Sequence, residues 1–234
     1  MRSGAPQLGP PDSQSATVAA RIVRNAAWLF CSEGITKSLF FAANILLARL
    51  LSAADYGVLA LAQSWILYAG LIADLGIMMY GQAEAARRRD TTALAWEILP
   101  FRALLGAVAF IALLIIVPFF ASTAPARITI TAASLYLLGQ AISAEWLFRG
   151  KERFDVVMIG NAAGAATFLA SVALIGAGPG ALLKDTLAWS LSAFAMAAVY
   201  LWYLPGLVGI PPRTAGLRRR LGESHARVEL FRLV

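Results

Sequence analysis

Residues 98–120 read ILPFRALLGAVAFIALLIIVPFF, and from Gly106 to Phe120 the run contains no charged, amide or hydroxyl side chain. A helix that is apolar on every side has no face to offer water, so its solvent is protein or lipid. About 20 helical residues, rising about 1.5 Å each, cross a bilayer core about 30 Å thick. This run reaches that length, and so do five others: Ala26–Leu47, Tyr56–Tyr80, Ile128–Phe148, Phe154–Ile175 and Leu182–Leu204. The chain as a whole is 59% hydrophobic and only 14% charged, whereas soluble domains average about 45–50% apolar and about 25% charged residues. The expected fold is an all-α integral membrane protein, a bundle of six transmembrane helices. Outer-membrane strands would alternate apolar and polar residues over about 10 positions, which Gly106–Phe120 does not do.

The basic residues sort by connection. Arg2, Arg21 and Arg24 precede the first run, Arg87, Arg88 and Arg89 lie between the second and third, and Arg149, Lys151 and Arg153 lie between the fourth and fifth. Arg213 and Arg218 to Arg220 follow the sixth, while the other connections carry only Arg49, Arg127 and Lys184. Lys and Arg concentrate on cytoplasmic loops. Two spans between successive clusters put every cluster on one side, with both termini cytoplasmic and the protein in the cytoplasmic (inner) membrane. The net charge of +7 then reflects topology, and nucleic acid is not an expected partner.

Residues 1–20, rich in Gly, Pro, Ser and Gln, read as a disordered cytoplasmic tail, residues 21–205 as the transmembrane domain, and residues 206–234 as a basic cytoplasmic tail or an out-of-frame end. The first apolar run starts late and carries Glu33 and Lys37, unlike a secretory signal. Cys31, the single cysteine, is expected to be a buried, inert thiol, and the single histidine, His225, supports neither a metal cluster nor a catalytic triad. No cofactor is expected, and the chain does not read as an enzyme.

Polar groups inside apolar spans are costly unless they face protein, a partner or a water-filled cavity. Glu33 and Lys37 are spaced to pair on one helix face. They read either as an internal salt bridge that eases insertion or as the lining of a hydrated cavity, with Lys37 facing an anionic substrate. Arg102 reads as snorkelling to the interface or as a second cavity cation. Asp74 has Arg102 or the Arg87–Arg89 cluster as candidate partners, and reads as a packing or topology residue or as a group for proton coupling; with Glu33, Lys37 and Arg102 it is a candidate substrate contact. Gly160 and Gly164 form a GxxxG spacing that serves helix packing or dimerisation. Asn44, Gln63, Gln140 and Asn161 are candidates for interhelical hydrogen bonds or sugar contacts. Trp28, Trp146 and Trp202 read as interface anchors.

Four segments then occur in order at helix boundaries. ARLLSAADYG (Ala48–Gly57) keeps Arg49, Leu50, Leu51, Tyr56 and Gly57 of a pattern in which Gly-Pro commonly stands where this chain has Ser52-Ala53. ADLG (Ala73–Gly76) includes Asp74 and Gly76, and AARRRD spans Ala85–Asp90. EWLFRGKERF (Glu145–Phe154) includes Glu145, Trp146 and Gly150, with Arg149 where Gln is usual. Together with Arg24-Asn25, these resemble the oligosaccharide and polysaccharide flippase family of O-antigen and exopolysaccharide transporters, within the multidrug, oligosaccharidyl-lipid and polysaccharide exporter superfamily. The resemblance covers about residues 20–205.

It implies a transporter that moves a polyprenyl-diphosphate-linked oligosaccharide across the inner membrane, with membrane lipid and that lipid-linked sugar as partners. Lys37 or Arg102 would offset desolvation of the diphosphate. Members of the family have two six-helix lobes, and this chain resembles the first, so a second lobe or a parallel homodimer would complete the transporter. A drug or metabolite exporter, an inactive half-transporter and a membrane-embedded glycan-assembly enzyme are the other classes left open.

Overall fold

The computed structural model describes residues 13–208, and no strand occurs among them. The helices are α1 (Ser13–Leu50), α2 (Ala53–Asp74), α3 (Ile77–Arg87), α4 (Thr92–Phe120), α5 (Ala124–Ala133), α6 (Leu135–Ala141), α7 (Glu145–Gly150), α8 (Phe154–Ile175) and α9 (Ala181–Tyr203), followed by a 3-10 turn at Leu204–Gly206. Residues 13–20, expected as tail, already belong to α1. Residues 206–208, also expected as tail, close the 3-10 turn and bring Val208 into a buried cluster; residues 1–12 and 209–234, with His225, lie outside the described residues.

Among the described residues four helices are long and apolar enough to cross a membrane: α2, α4, α8, and α9 with its closing turn. Two of the six expected spans therefore take a different form. The first lies within α1, where Glu33, Lys37 and Asn44 dilute its apolar character. The fourth is divided into α5, α6 and α7. A serine stands at each division, and a serine hydroxyl can take up helix backbone groups. Ser134 Oγ donates to the Thr131 carbonyl at 2.6 Å between α5 and α6, and Ser143 Oγ accepts from the Glu145 amide at 3.4 Å just before α7. The second run also breaks. Leu75 and Gly76 both take left-handed backbone angles (φ 45° and 78°), so the ADLG segment ends α2 and redirects the chain into α3. Gly76 adopts that conformation without a Cβ penalty.

The packing order explains how the bundle closes. α1 lies along α8, α8 along α9, and α9 against α5 and α6; α2 and α4 complete the other side against α5 and α6. Three buried clusters fill the interior. One joins α1, α2, α8 and α9 through Leu47, Leu59, Phe168 and Val172. A second joins α2, α4, α5 and α6 through Ile66, Leu113, Val117, Ile130 and Leu137. The third gathers α3, α4, α7, α8 and α9 around Trp146, Phe148, Val157 and Tyr200. Outside, Phe30, Phe41, Phe119, Leu174 and Trp202 are each at least two-thirds exposed, an apolar exterior suited to lipid.

The glycine spacing in α8 serves this packing. A Cβ at Gly160 would lie 2.6 Å from the Tyr200 ring, and one at Gly164 would lie 3.0 Å from the Ser192 carbonyl oxygen. Both glycines are thus occupied by α9 of the same chain. Tyr200 Oη donates to Asn161 Oδ1 at 2.8 Å, an interhelical bond of the expected kind, whereas Asn44 Nδ2 bonds the Phe40 carbonyl of its own helix.

Two other expectations are corrected. Cys31 is exposed, since α1 turns Ser32 toward its neighbours instead. Trp146 is fully buried beneath Gly81, where a Cβ would come within 2.8 Å of the indole. It anchors α7 to α3 and does not mark an interface. Trp28 and Trp202 do lie on the surface.

Candidate functional site

The turn at ARLLSAADYG shows how one departure from the family pattern is accommodated. Ser52 caps α2: its Oγ accepts from the Asp55 amide at 3.1 Å and donates to Asp55 Oδ2 at 2.8 Å. A reciprocal cap of this kind satisfies a free helix amide and fixes the turn. Tyr56 packs against the cluster around Leu47 and Phe168, while Arg49 and Gly57 are exposed.

At the other end of the bundle, Gly150 allows α7 to approach α3 closely. A Cβ there would lie 2.5 Å from the Gln82 carbonyl oxygen. Lys151 Nζ then donates to the Arg88 and Arg89 carbonyl oxygens, the latter at 3.3 Å, placing a cation at the C-terminal end of α3 where the helix dipole favours it. The basic connections around Arg87–Arg89 and Arg149–Arg153 therefore touch. The Thr92 amide, donating to Asp90 at 2.8 Å, holds that exposed carboxyl below its ordinary range.

The predicted polar residues fall into two groups. Glu33 and Lys37 pair as their spacing demands, 3.4 Å apart on α1, with Lys37 78% exposed. Glu33 also faces Arg149 at 3.8 Å, and Arg149 pairs with Glu145 at 2.6 Å. Lys37 does not line the cleft described next.

Asp74 and Arg102 form the second group. Arg102 turns into the bundle: its side chain is only 11% exposed, and its Nη1 lies 3.7 Å from Asp74 Oδ1. Its Nη2 donates to the Gln140 carbonyl oxygen at 3.3 Å. Two features of the sequence bring it there. Gly106, one turn further along α4, has Ala141 where its own Cβ would be, so α4 and α6 cross with their backbones close. The end of α6 leaves the Gln140 carbonyl paired with the Ser143 amide at 3.2 Å, and its second lone pair accepts from Arg102.

These residues line a cleft of about 390 Å³ between α2, α4, α6 and α9. Its wall also holds Gln63, for which the described residues offer no hydrogen-bond partner, and Gln140, whose Nε2 donates to Tyr136 Oη at 2.9 Å. Tyr136 and Trp189 stack with ring centroids 4.1 Å apart and planes 7° from parallel. The Tyr136–Trp189 pair was not apparent in the sequence. The available signal was weak: an aromatic residue in each of two spans, with no local pattern linking them. The cleft combines one charge pair, two side-chain amides and two aromatic rings inside an otherwise apolar bundle, which equips it to hold a polar or amphiphilic molecule.

An apolar helical bundle with four membrane-length helices fits a multi-pass membrane protein. A family model described as "Polysaccharide biosynthesis protein" matches residues 22–215, and the chain belongs to that family. No curated protein and no solved structure matches it.

Proposed function

We propose that the protein transports a polyprenyl-diphosphate-linked oligosaccharide, of the kind used for O-antigen or exopolysaccharide, across the inner membrane. The observation that carries this reading is the cleft that sets Asp74, Arg102 and Gln140 into an otherwise apolar wall, within a bundle whose outer surface suits lipid. A glycan headgroup needs a polar path through the membrane, while its polyprenyl tail remains in lipid. Membership of a polysaccharide biosynthesis family supports the same substrate class.

In this reading the chain crosses the membrane six times with both termini cytoplasmic. α1, and α5 and α6 taken together, supply the two spans beyond the four long apolar helices. The contact between Lys151 and the Arg88 and Arg89 carbonyls supports a shared cytoplasmic face for those two connections. A second lobe or a second copy completes the path, and the protein acts as a carrier and not an enzyme.

The test is transport in proteoliposomes loaded with polyprenyl-diphosphate-linked oligosaccharide, reading the movement of the sugar between leaflets. Movement faster than in protein-free vesicles is expected. A rate equal to that of protein-free vesicles, with transport of a soluble organic cation instead, would overturn the proposal in favour of an exporter of small molecules.

A further inference from the structure

We infer that the cleft between α2, α4, α6 and α9 is a subsite for a neutral sugar ring, seated by Tyr136, Trp189, Gln63 and Gln140, and not a diphosphate site. This rests on the reading of the protein as a carrier of lipid-linked glycan, and it names the part of the substrate that the cleft contacts.

Charge is the first argument. Arg102 is the cleft's cation, and it already faces Asp74 at 3.7 Å and the Gln140 carbonyl at 3.3 Å. Glu145 is also near enough to act on it electrostatically. A diphosphate reaching Arg102 would meet the like charge of Asp74 across a short distance, and the two would repel. The pair is formally neutral, and a neutral ligand adds no such repulsion.

The second argument is the chemistry of the wall. A pyranose presents hydroxyls that donate and accept, together with a face of C–H groups. Gln63 has a side-chain amide with no partner among the described residues, and Gln140 Oε1 remains available once Nε2 has bonded Tyr136. Tyr136 and Trp189, brought together from α6 and α9, cover each other's facing sides, so the pair offers the cleft an outer ring side and ring edges, with a polar tip at the Tyr136 hydroxyl. A lipid tail in the same place would leave the Gln63 amide and Gln140 Oε1 without a partner. At about 390 Å³ the cleft is at the small end of the range for small-molecule sites, which suits a small ring system better than a whole oligosaccharide.

The experiment measures binding to the full chain in nanodiscs of three probes: polyprenyl diphosphate, the same lipid carrying N-acetylglucosamine, and the same lipid carrying galactose. At least one sugar-bearing lipid is expected to bind about fivefold to tenfold more tightly than the bare lipid, the scale of one aromatic contact with a hydrogen bond. Trp189→Leu and Gln63→Leu should each reduce that preference, and Trp189→Phe should retain most of it. Should Trp189→Leu fail to give monodisperse protein, the half-buried Gln63 position carries the test. Equal binding of all three lipids, or a preference unmoved by these substitutions, would overturn the sugar subsite while leaving the transport reading intact. Failure of every lipid to bind would instead remove the transport reading, and the subsite with it.

Discussion

Arg102 on α4 and Asp74 on α2 face each other at 3.7 Å, with the Arg102 side chain 11% exposed and that of Asp74 29% exposed. Each therefore protects the other from being an uncompensated charge in a mostly apolar bundle. Removing one partner strands the other, whereas replacing both with apolar groups removes the desolvation cost along with the attraction. Arg102→Leu and Asp74→Leu should each lower stability by about 1–3 kcal/mol, with water access to Asp74 keeping the figure at the modest end for buried ion pairs. The double variant should lose clearly less than the sum. Melting of purified protein in detergent, arranged as a double-mutant cycle, checks this, and strict additivity would refute the pairing.

The motif glycines should differ in tolerance. Gly150 has the Gln82 carbonyl oxygen 2.5 Å and Ala85 Cβ 2.7 Å from where its own Cβ would stand, so a methyl there must push α7 off α3. Gly57 has nothing within 4 Å and lies inside α2. Gly150→Ala should cost about 1–3 kcal/mol through overpacking. Gly57→Ala should be neutral or stabilising by up to about 1 kcal/mol, since alanine favours the helix. The two melting curves, measured side by side, test whether the close approach or the glycine itself is what the motif requires.

At the α1–α2 turn, Ser52 has φ −65° and ψ 157°, the extended conformation that a residue before proline adopts, and Ala53 is the first residue of α2. Ala53→Pro therefore places proline where its missing N–H is not needed and its fixed φ suits the helix. It should raise stability by about 0.4–1 kcal/mol by restricting the unfolded chain. Ser52→Ala removes the cap and should cost about 1 kcal/mol. A higher melting temperature for the first variant and a lower one for the second is the expected result.

What the sequence made legible followed from local rules. Run length and composition identified the helices that became α2, α4, α8 and α9, because a fully apolar 20-residue segment has few alternatives. The i, i+4 spacing was enough to pair Glu33 with Lys37. Asp74 and Arg102 stood out as costly charges in need of partners, and each supplied the other's. The remainder depended on tertiary contacts. Trp146 near the end of an apolar run looks the same in sequence whether it faces headgroups or, as here, packs beneath Gly81. The division between α5 and α6 falls at Ser134, whose hydroxyl reaches the Thr131 carbonyl, but Ser192 makes the same bond to Trp189 inside the unbroken α9, so a serine alone does not mark a break. Tyr136 and Trp189 meet only because α6 and α9 pack side by side.

Nothing in the sequence marks Asp185, which follows Lys184 near the start of the Leu182–Leu204 run. In the fold it lies in the second turn of α9, fully buried, and neither carboxylate oxygen has a hydrogen-bond partner among the described residues. A buried polar group without a partner costs about 1–3 kcal/mol relative to an apolar one of similar shape. Asp185→Val should therefore raise stability by an amount of that order. Asp185→Asn, which keeps an unpartnered polar group, should change it much less. Melting in detergent distinguishes the outcomes: a gain confined to valine supports the orphaned carboxylate. A loss in both variants would mean that Asp185 makes a contact on which α9 depends.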